Sequence, residues 1–375
     1  MTDPRLFLGV EPAGPGVHPA AWRRPDSAAE HLFTGAYWVD VVQAAEKAGA
    51  DAVFLPDGFA LQPGGPGVTR SRLDAVAVAA RVAAATHGIG LLPQAAVTHT
   101  EPFHLSKAIA SLDFAALGRA GWEVTVSETA AEAKAFGRKQ VQDAAALWHE
   151  ADEAIEVVTR LWDSWEDDAE IRDEPTGRFI DRDKLHYIDF AGDNFSVRGP
   201  SITPRPPQGQ PIVVVRAAHP ESTAVAIRRA DLIRVAATDL AAARARRDEL
   251  RAALAAADRD PDSVRVLLDL DLHLADTVEA ARAQVRELDR WAAADSPALR
   301  HLGTTATLRA LLDEIGRDRI ADGVVLRPLA TAPVLARLTE LNRKPVAGTG
   351  FRHRLGLHRP LSRYASPNRE IHATT

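Results

Sequence analysis

The chain of 375 residues contains no cysteine. That excludes disulfides, thiolate nucleophiles and cysteine-ligated metals, and it fits a cytoplasmic protein, the expected location. Excess positive charge is also missing. A formal net charge of −6 gives no electrostatic reason to expect nucleic acid or an anionic membrane as a partner. No apolar run approaches the roughly 20 residues of a membrane span, and the opening Met-Thr-Asp-Pro-Arg shows no basic-then-apolar leader. The chain has no glycine fingerprint after a first strand, no phosphate-loop lysine motif and no Gly-x-Ser-x-Gly elbow. His149-Glu150 lacks the second histidine of a zinc-protease helix. His99, Glu101 and His104 straddle Pro102, which forces a turn, so no metal is expected. The acidic helical face of Glu150, Asp152, Glu153 and Glu156 reads as solvated. Internal repeats, heptads and low-complexity blocks are absent.

Hydrophobic residues make up 46% and charged residues 26% of the chain, ordinary for a soluble globular protein. The patterning alternates between strands and helices. Leu6–Val10 reads as a first strand, Ala36–Ala48 as a helix capped by Gly49, and Asp51–Leu55 as a buried strand ending at Pro56-Asp57-Gly58. Helix Leu73–Thr86 and strand Gly88–Leu92 follow. Leu105, Ile109, Leu112 and Ala116 then recur at helical spacing, Gly118 stands where a cap is expected, and Gly121-Trp122 opens a strand around Val124 to Val126. Beyond Ser127 the reading continues with helix Ala144–Trp162, a polar excursion to Pro207, and strand Pro211–Val215. Helix Glu221–Arg229, strand Asp231–Ala237, helix Ala241–Ala257, strand Val264–Leu270, helix Thr277–Ala293, helix Leu308–Ile315 and strand Gly323–Leu326 complete it. This βα rhythm predicts a parallel sheet, and one (β/α)8 barrel fits it better than two domains. The barrel is expected over residues 1–343 with an insertion around 163–207. The tail, 344–375, is rich in arginine and histidine and is expected to wrap the surface or a partner subunit.

As a string, Leu105–Ser127 resembles the "ASLD…GRxGWN…TS" signature of the luciferase-like flavin monooxygenases, nearest their nitrilotriacetate and dibenzothiophene-sulfone branch. Further matches come in the same order. His18 with Ala20–Arg23 is similar to "HHxxAWR", Phe54–Asp57 to "FLAD", and Thr98–Phe103 to "TxxxEPY". Asp152–Trp165 resembles "DEFxEVVxxLWDSW", Lys184–Pro200 "KLHPIDHxGxxFxVRGP", and Leu355–Pro360 "HLGLPRP".

The resemblance implies a luciferase-like TIM barrel with insertions, and reduced FMN across its C-terminal mouth. It also implies a separate flavin reductase as partner, O2 as co-substrate, a small organic substrate, and a homodimer or a heteromer with a related barrel. On that pattern Asp57 lies beside the flavin ring, Thr98 donates a hydrogen bond to it, and His18, Trp22 and Phe59 line the substrate side. The departures concern the same ligand. Glu123 replaces an asparagine, and Leu147-Trp148 replaces Arg-Tyr. Val215–His219 replaces the phosphate-wrapping Gln-Ala-Gly-Ser-Ser, with Arg216 and His219 as cationic substitutes and Pro220 removing an N–H. Ala292–Leu302 bridges a segment that is longer in the family, which shortens the lid. The cofactor-side candidates are therefore Asp57, Thr98, Glu123, Trp148, Arg216 and His219, with no catalytic group assigned. The expected function is an FMN-dependent monooxygenase with an altered phosphate site. A flavin-free, non-catalytic barrel and a deazaflavin-dependent oxidoreductase are the alternatives, and the substrate is not legible.

Overall fold

The computed structural model describes residues 5–62, 64–65, 67–344 and 350–364. Eight parallel strands close on themselves: β1 (Phe7–Val10), β2 (Ala52–Leu55), β3 (Gly90–Ala96), β4 (Gly121–Thr125), β5 (Ile212–Arg216), β6 (Leu232–Val235), β7 (Arg265–Leu274) and β8 (Gly323–Pro328). Each pairs with its sequence neighbours. The circuit closes where β1 meets β8, with Phe7 opposite Gly323 and Val10 opposite Leu326. The expected TIM barrel is what the chain forms.

The helices outside it are α1 (Gly35–Lys47), α2 (Ala75–Ala83), α3 (Pro102–Ala115), α4 (Ala130–Phe136), α5 (Ala144–Asp163), α6 (Pro220–Arg229), α7 (Leu240–Ala256), α8 (Val278–Asp289), α9 (Thr305–Arg317), α10 (Thr331–Leu338) and the single turn α11 (Phe351–Arg354). Their starts follow capping chemistry: Asp74, Asp143, Asp239 and Thr304 each accept a backbone N–H of the first turn. The signature stretch is α3, a turn and β4. Leu117 and Gly118 take positive φ to reverse the chain, and the buried Asp113 then accepts from Ala120 N at 3.0 Å and Gln208 N at 3.1 Å. Asp113 thus fastens the entry to β4. Burial pushes its carboxyl up to about 6 against those hydrogen bonds.

Three features differ from the sequence reading. The excursion between α5 and β5 holds two small hairpins, Glu170–Asp173 with Arg178–Ile180 and Phe190–Ala191 with Ser196–Val197. β7 runs four residues past the expected end, and this extension pairs on its free edge with an added strand, Leu299–Gly303. Within the described part of the tail, Phe351, Leu355 and Leu357 return to the barrel floor, while Arg359 and Arg363 pair with Asp167 and Glu156 on the surface of the insertion and α5. Phe351 is buried against Phe7, with ring centroids 6.4 Å apart. A Cβ on Gly90 would lie 2.7 Å from that ring, so glycine is what lets the tail approach so closely.

Inside the barrel, side chains alternate along each strand. The lower level is apolar: Phe7, Phe54, Leu92, Ile212, Val214, Leu232, Leu267 and Val325 pack with Phe351 and Leu355. The upper level is ionic.

Candidate functional site at the C-terminal mouth

The upper level consists of Glu11 just after β1, Glu123 on β4, Arg216 ending β5, Arg234 on β6, Asp269 and Asp271 on β7, and Arg327 on β8. Arg234 is fully buried above the Phe54 ring, 4.7 Å from its centroid. It donates to Glu11 at 2.6 Å, Glu123 at 2.9 Å and Asp269 at 2.7 Å. Arg216 reaches Glu11 and Asp269 at 3.2 Å each and Glu123 at 3.5 Å. Arg327 spans Glu11 at 3.1 Å and Asp271 at 3.0 Å. Burial opposes charge on Glu11, yet the guanidiniums of Arg234, Arg216 and Arg327 outweigh it and hold that carboxyl well below the usual range. Asp271 goes the other way: burial raises it, and Arg327 only partly offsets this.

This floor divides the mouth. On the β3–β5 side, Thr98 is buried and its hydroxyl accepts from Ser127 N at 2.9 Å. Phe59 meets Phe136 edge-on at 4.7 Å, and His99 stacks on the same ring at 4.6 Å. His219 sits edge-on to Trp148 at 5.8 Å, within 3.6 Å of Glu128 and 3.1 Å of Glu221. Several buried polar atoms on this side have no hydrogen-bond partner: Ser127 Oγ, Trp148 Nε1 and both ring nitrogens of His99. Burial and Lys139 lower the His99 pKa, which favours the neutral ring. The loop after β5 is internally spent. Ser222 Oγ accepts from Ala218 N at 3.1 Å and His219 N at 3.2 Å.

On the β1–β2–β8 side a cavity of about 430 Å³ opens, with Leu32, Trp38, Leu55, Val78 and Leu329 among its apolar walls and Arg72, Arg300, Arg327 and Asp271 among its polar ones. The bridging segment contributes Ala293, Ala294, Asp295 and Ser296.

The sequence candidates fall on both sides of the floor and outside it. Asp57 is half-buried and braces its own turn: it accepts from Gly58 N at 2.7 Å and Ala75 N at 2.8 Å, while Gln94 links its N–H to Glu123. Burial is the main cause that raises its pKa. Glu123 and Arg216 belong to the ionic floor. Neither His18 nor Trp22 lines the cavity. His18 is buried with Nε2 3.1 Å from Asp289, and burial lowers its pKa. Trp22 donates to Gly67 O at 2.8 Å, and Arg23 lies over the rings of Trp22 and Trp291. Among the described residues, one group has metal-ligand spacing: His149, Glu153 and Asp193. Glu153 is occupied there by the backbone N–H groups of Asp193 and Asn194.

The sequence reading missed Glu11, Arg234, Asp269, Asp271, Arg327 and Ser127, whose N–H donates to Thr98. A usable signal was present. Leu-Asp-Leu-Asp-Leu-His-Leu in β7 alternates charge with leucine, and Leu-Ile-Arg-Val and Val-Leu-Arg-Pro put arginine on the same period near strand ends.

Residues 14–330 match the model of the family described as luciferase-like monooxygenase. N-acetyl-S-(2-succino)cysteine monooxygenase of Bacillus subtilis (strain 168) is 34% identical over 284 residues, covering 76% of this chain and 64% of that protein. Nitrilotriacetate monooxygenase component A of Aminobacter aminovorans is 34% identical over 281 residues, covering 72% and 62%. The chain thus matches less than two thirds of the length of these relatives. A crystal structure of riboflavin lyase with modified FMN and its substrate riboflavin superposes with a TM-score of 0.83 at 25% identity, covering 96% of this chain and 97% of that one. A closed parallel barrel with the signature turn between α3 and β4, matched to the family model over most of its length, makes this chain a member of the luciferase-like monooxygenase family.

Proposed function

We propose that this barrel is a flavin-dependent monooxygenase that oxidises a small organic substrate with O2, using reduced FMN from a separate flavin reductase. The supporting observation is the set of unpartnered polar atoms on the β3–β5 side. A flavin ring has apolar faces and a polar edge of alternating donors and acceptors. Ser127 Oγ can donate or accept, Trp148 Nε1 only donates, and a neutral His99 does one of each. That donor set fits the ring edge, and Phe59, Phe136 and Trp148 supply apolar surface beside it. The bound group supplies the electrons that activate O2.

The chain's own residues orient and exclude. Thr98 fixes Ser127 through its N–H, Asp57 and Gln94 brace the β2 turn, and the aromatic residues keep water away. The phosphate end is altered: three carboxylates hold Arg216, and Ser222 occupies the N–H groups of Ala218 and His219. His219 is the cationic candidate that remains in that loop. The same spent loop favours a second reading, a flavin-free barrel acting as a subunit or binding protein.

Titration with FMN, oxidised and then reduced, followed by absorbance and fluorescence, separates the two. Saturable binding is expected. It should weaken several-fold in Ser127→Ala and in Trp148→Phe with little change in melting temperature, since each removes one uncommitted hydrogen-bonding group. Absence of binding in both redox states at high micromolar flavin would overturn the monooxygenase reading and leave the second.

A further inference from the structure

The cavity between β1, β2 and β8 has a chemical preference of its own. Arg72 and Thr69 both line it, and within these two half-buried residues Arg72 Nε and Thr69 Oγ1 are buried atoms without a hydrogen-bond partner. Both can donate, since a guanidinium N–H can only donate and a hydroxyl can give its hydrogen. The remaining charged groups of the wall are largely committed. Arg327 is held between Glu11 and Asp271, and Arg300 donates to Ala294 O at 2.9 Å. An orphaned buried donor is costly to leave unmet, and two on one cavity wall call for a ligand group with two acceptor atoms.

We propose that this cavity is the substrate site and that it takes a small organic carboxylate, whose oxygens accept from Arg72 and Thr69 and whose body lies on Leu32, Trp38, Leu55, Val78 and Leu329. The inference rests on the monooxygenase reading for the word substrate, and on the cavity alone for the ligand class. A carboxylate fits better than a phosphate because Glu11, Asp271 and Asp295 also line the wall. A dianion would meet more repulsion there than a monoanion. At about 430 Å³ the cavity lies in the lower range of small-molecule sites and admits a compact ligand. The charged end would sit at the β2 loop, near Asp57, whose pKa burial raises and the Arg72 charge offsets only in part. The reacting end would then point back across the ionic floor towards the β3–β5 side.

The test is calorimetric titration of the whole chain with hexanoate and 3-phenylpropanoate, each against its uncharged amide. At least one acid should bind ten-fold or more tighter than its amide. That preference should vanish in Arg72→Met and shrink in Thr69→Val, which is nearly isosteric and guards against a folding artefact, with melting temperatures measured alongside. If no acid binds better than its amide, the proposal is overturned. Parallel titrations with FMN and riboflavin distinguish the sources of the anion. Weakening of FMN but not riboflavin by Arg72→Met would give these donors to the flavin phosphate, and would equally overturn it. Carboxylate binding in a wild-type protein that binds no flavin would leave the ligand class standing while the monooxygenase reading fails.

Discussion

At the floor of the barrel, Phe7, Phe54, Leu92 and Val325 meet Phe351 from the tail. Higher in the barrel, Glu11 just after β1, Glu123 on β4, Arg234 on β6 and Asp269 on β7 fill its interior instead. The two levels are held by different physics. The lower one gains from removing hydrocarbon from water and tolerates modest changes of shape. The upper one removes several ions from water and recovers that cost only while every partner is in place. A packed apolar level therefore suffices to close a barrel, and the ionic level is better understood by what it presents to the mouth than by what it adds to stability.

The comparison can be broken from either level. Arg234→Ala should have the largest effect, a loss of about 3–5 kcal/mol in urea unfolding, because it leaves Glu11, Glu123 and Asp269 buried beside Arg216 alone or Arg216 and Arg327. A loss under about 1 kcal/mol would mean that the three carboxylates shed their charge without cost, contrary to the arrangement described. Phe351→Ala should follow at about 3–4 kcal/mol, the cost of a large cavity at the floor. An unchanged urea midpoint would show that the tail does not seal the barrel.

The pH dependence sharpens the contrast with a smaller effect. At the lower end, Asp113 has a folded pKa of about 6 against an ordinary 3.8. Its contribution is fully present below about pH 4 and lost as pH rises through about 6, at most about 3 kcal/mol. At the upper end Glu11 is depressed, so its contribution is present above about pH 4.5 and lost as pH falls. In urea midpoints measured from pH 3 to 8, Asp113→Asn should flatten the decline between about pH 4 and 6, and Glu11→Gln should soften the acid limb. Parallel curves for wild type and both variants would refute both assignments.

Much of this was readable beforehand, for identifiable reasons. Apolar periodicity located every barrel strand, because a strand buried on both sides must be a nearly continuous hydrophobic run. The stretch from α3 to β4 carried the family resemblance, and the family match bore it out. Pairing inside the barrel was harder to read. Arg216 looked available for a phosphate, and nothing in Val215–His219 reveals that Glu11, 205 residues away in sequence, reaches it. Trp148 and Ser127 show the converse, since only burial without a partner singles them out from other tryptophans and serines.

By itself, the sequence determined the class of fold, the order of the barrel strands and the family, since these depend on local spacing and residue type. Tertiary structure alone decided that the charged residues of the mouth satisfy one another as a floor, that Phe351 plugs the opposite end, and that Arg72 and Thr69 share a cavity with Arg72 Nε and Thr69 Oγ1 unpartnered. Each depends on which strands become neighbours when the barrel closes, and closure brings together side chains whose separation along the chain carries no trace of their contact.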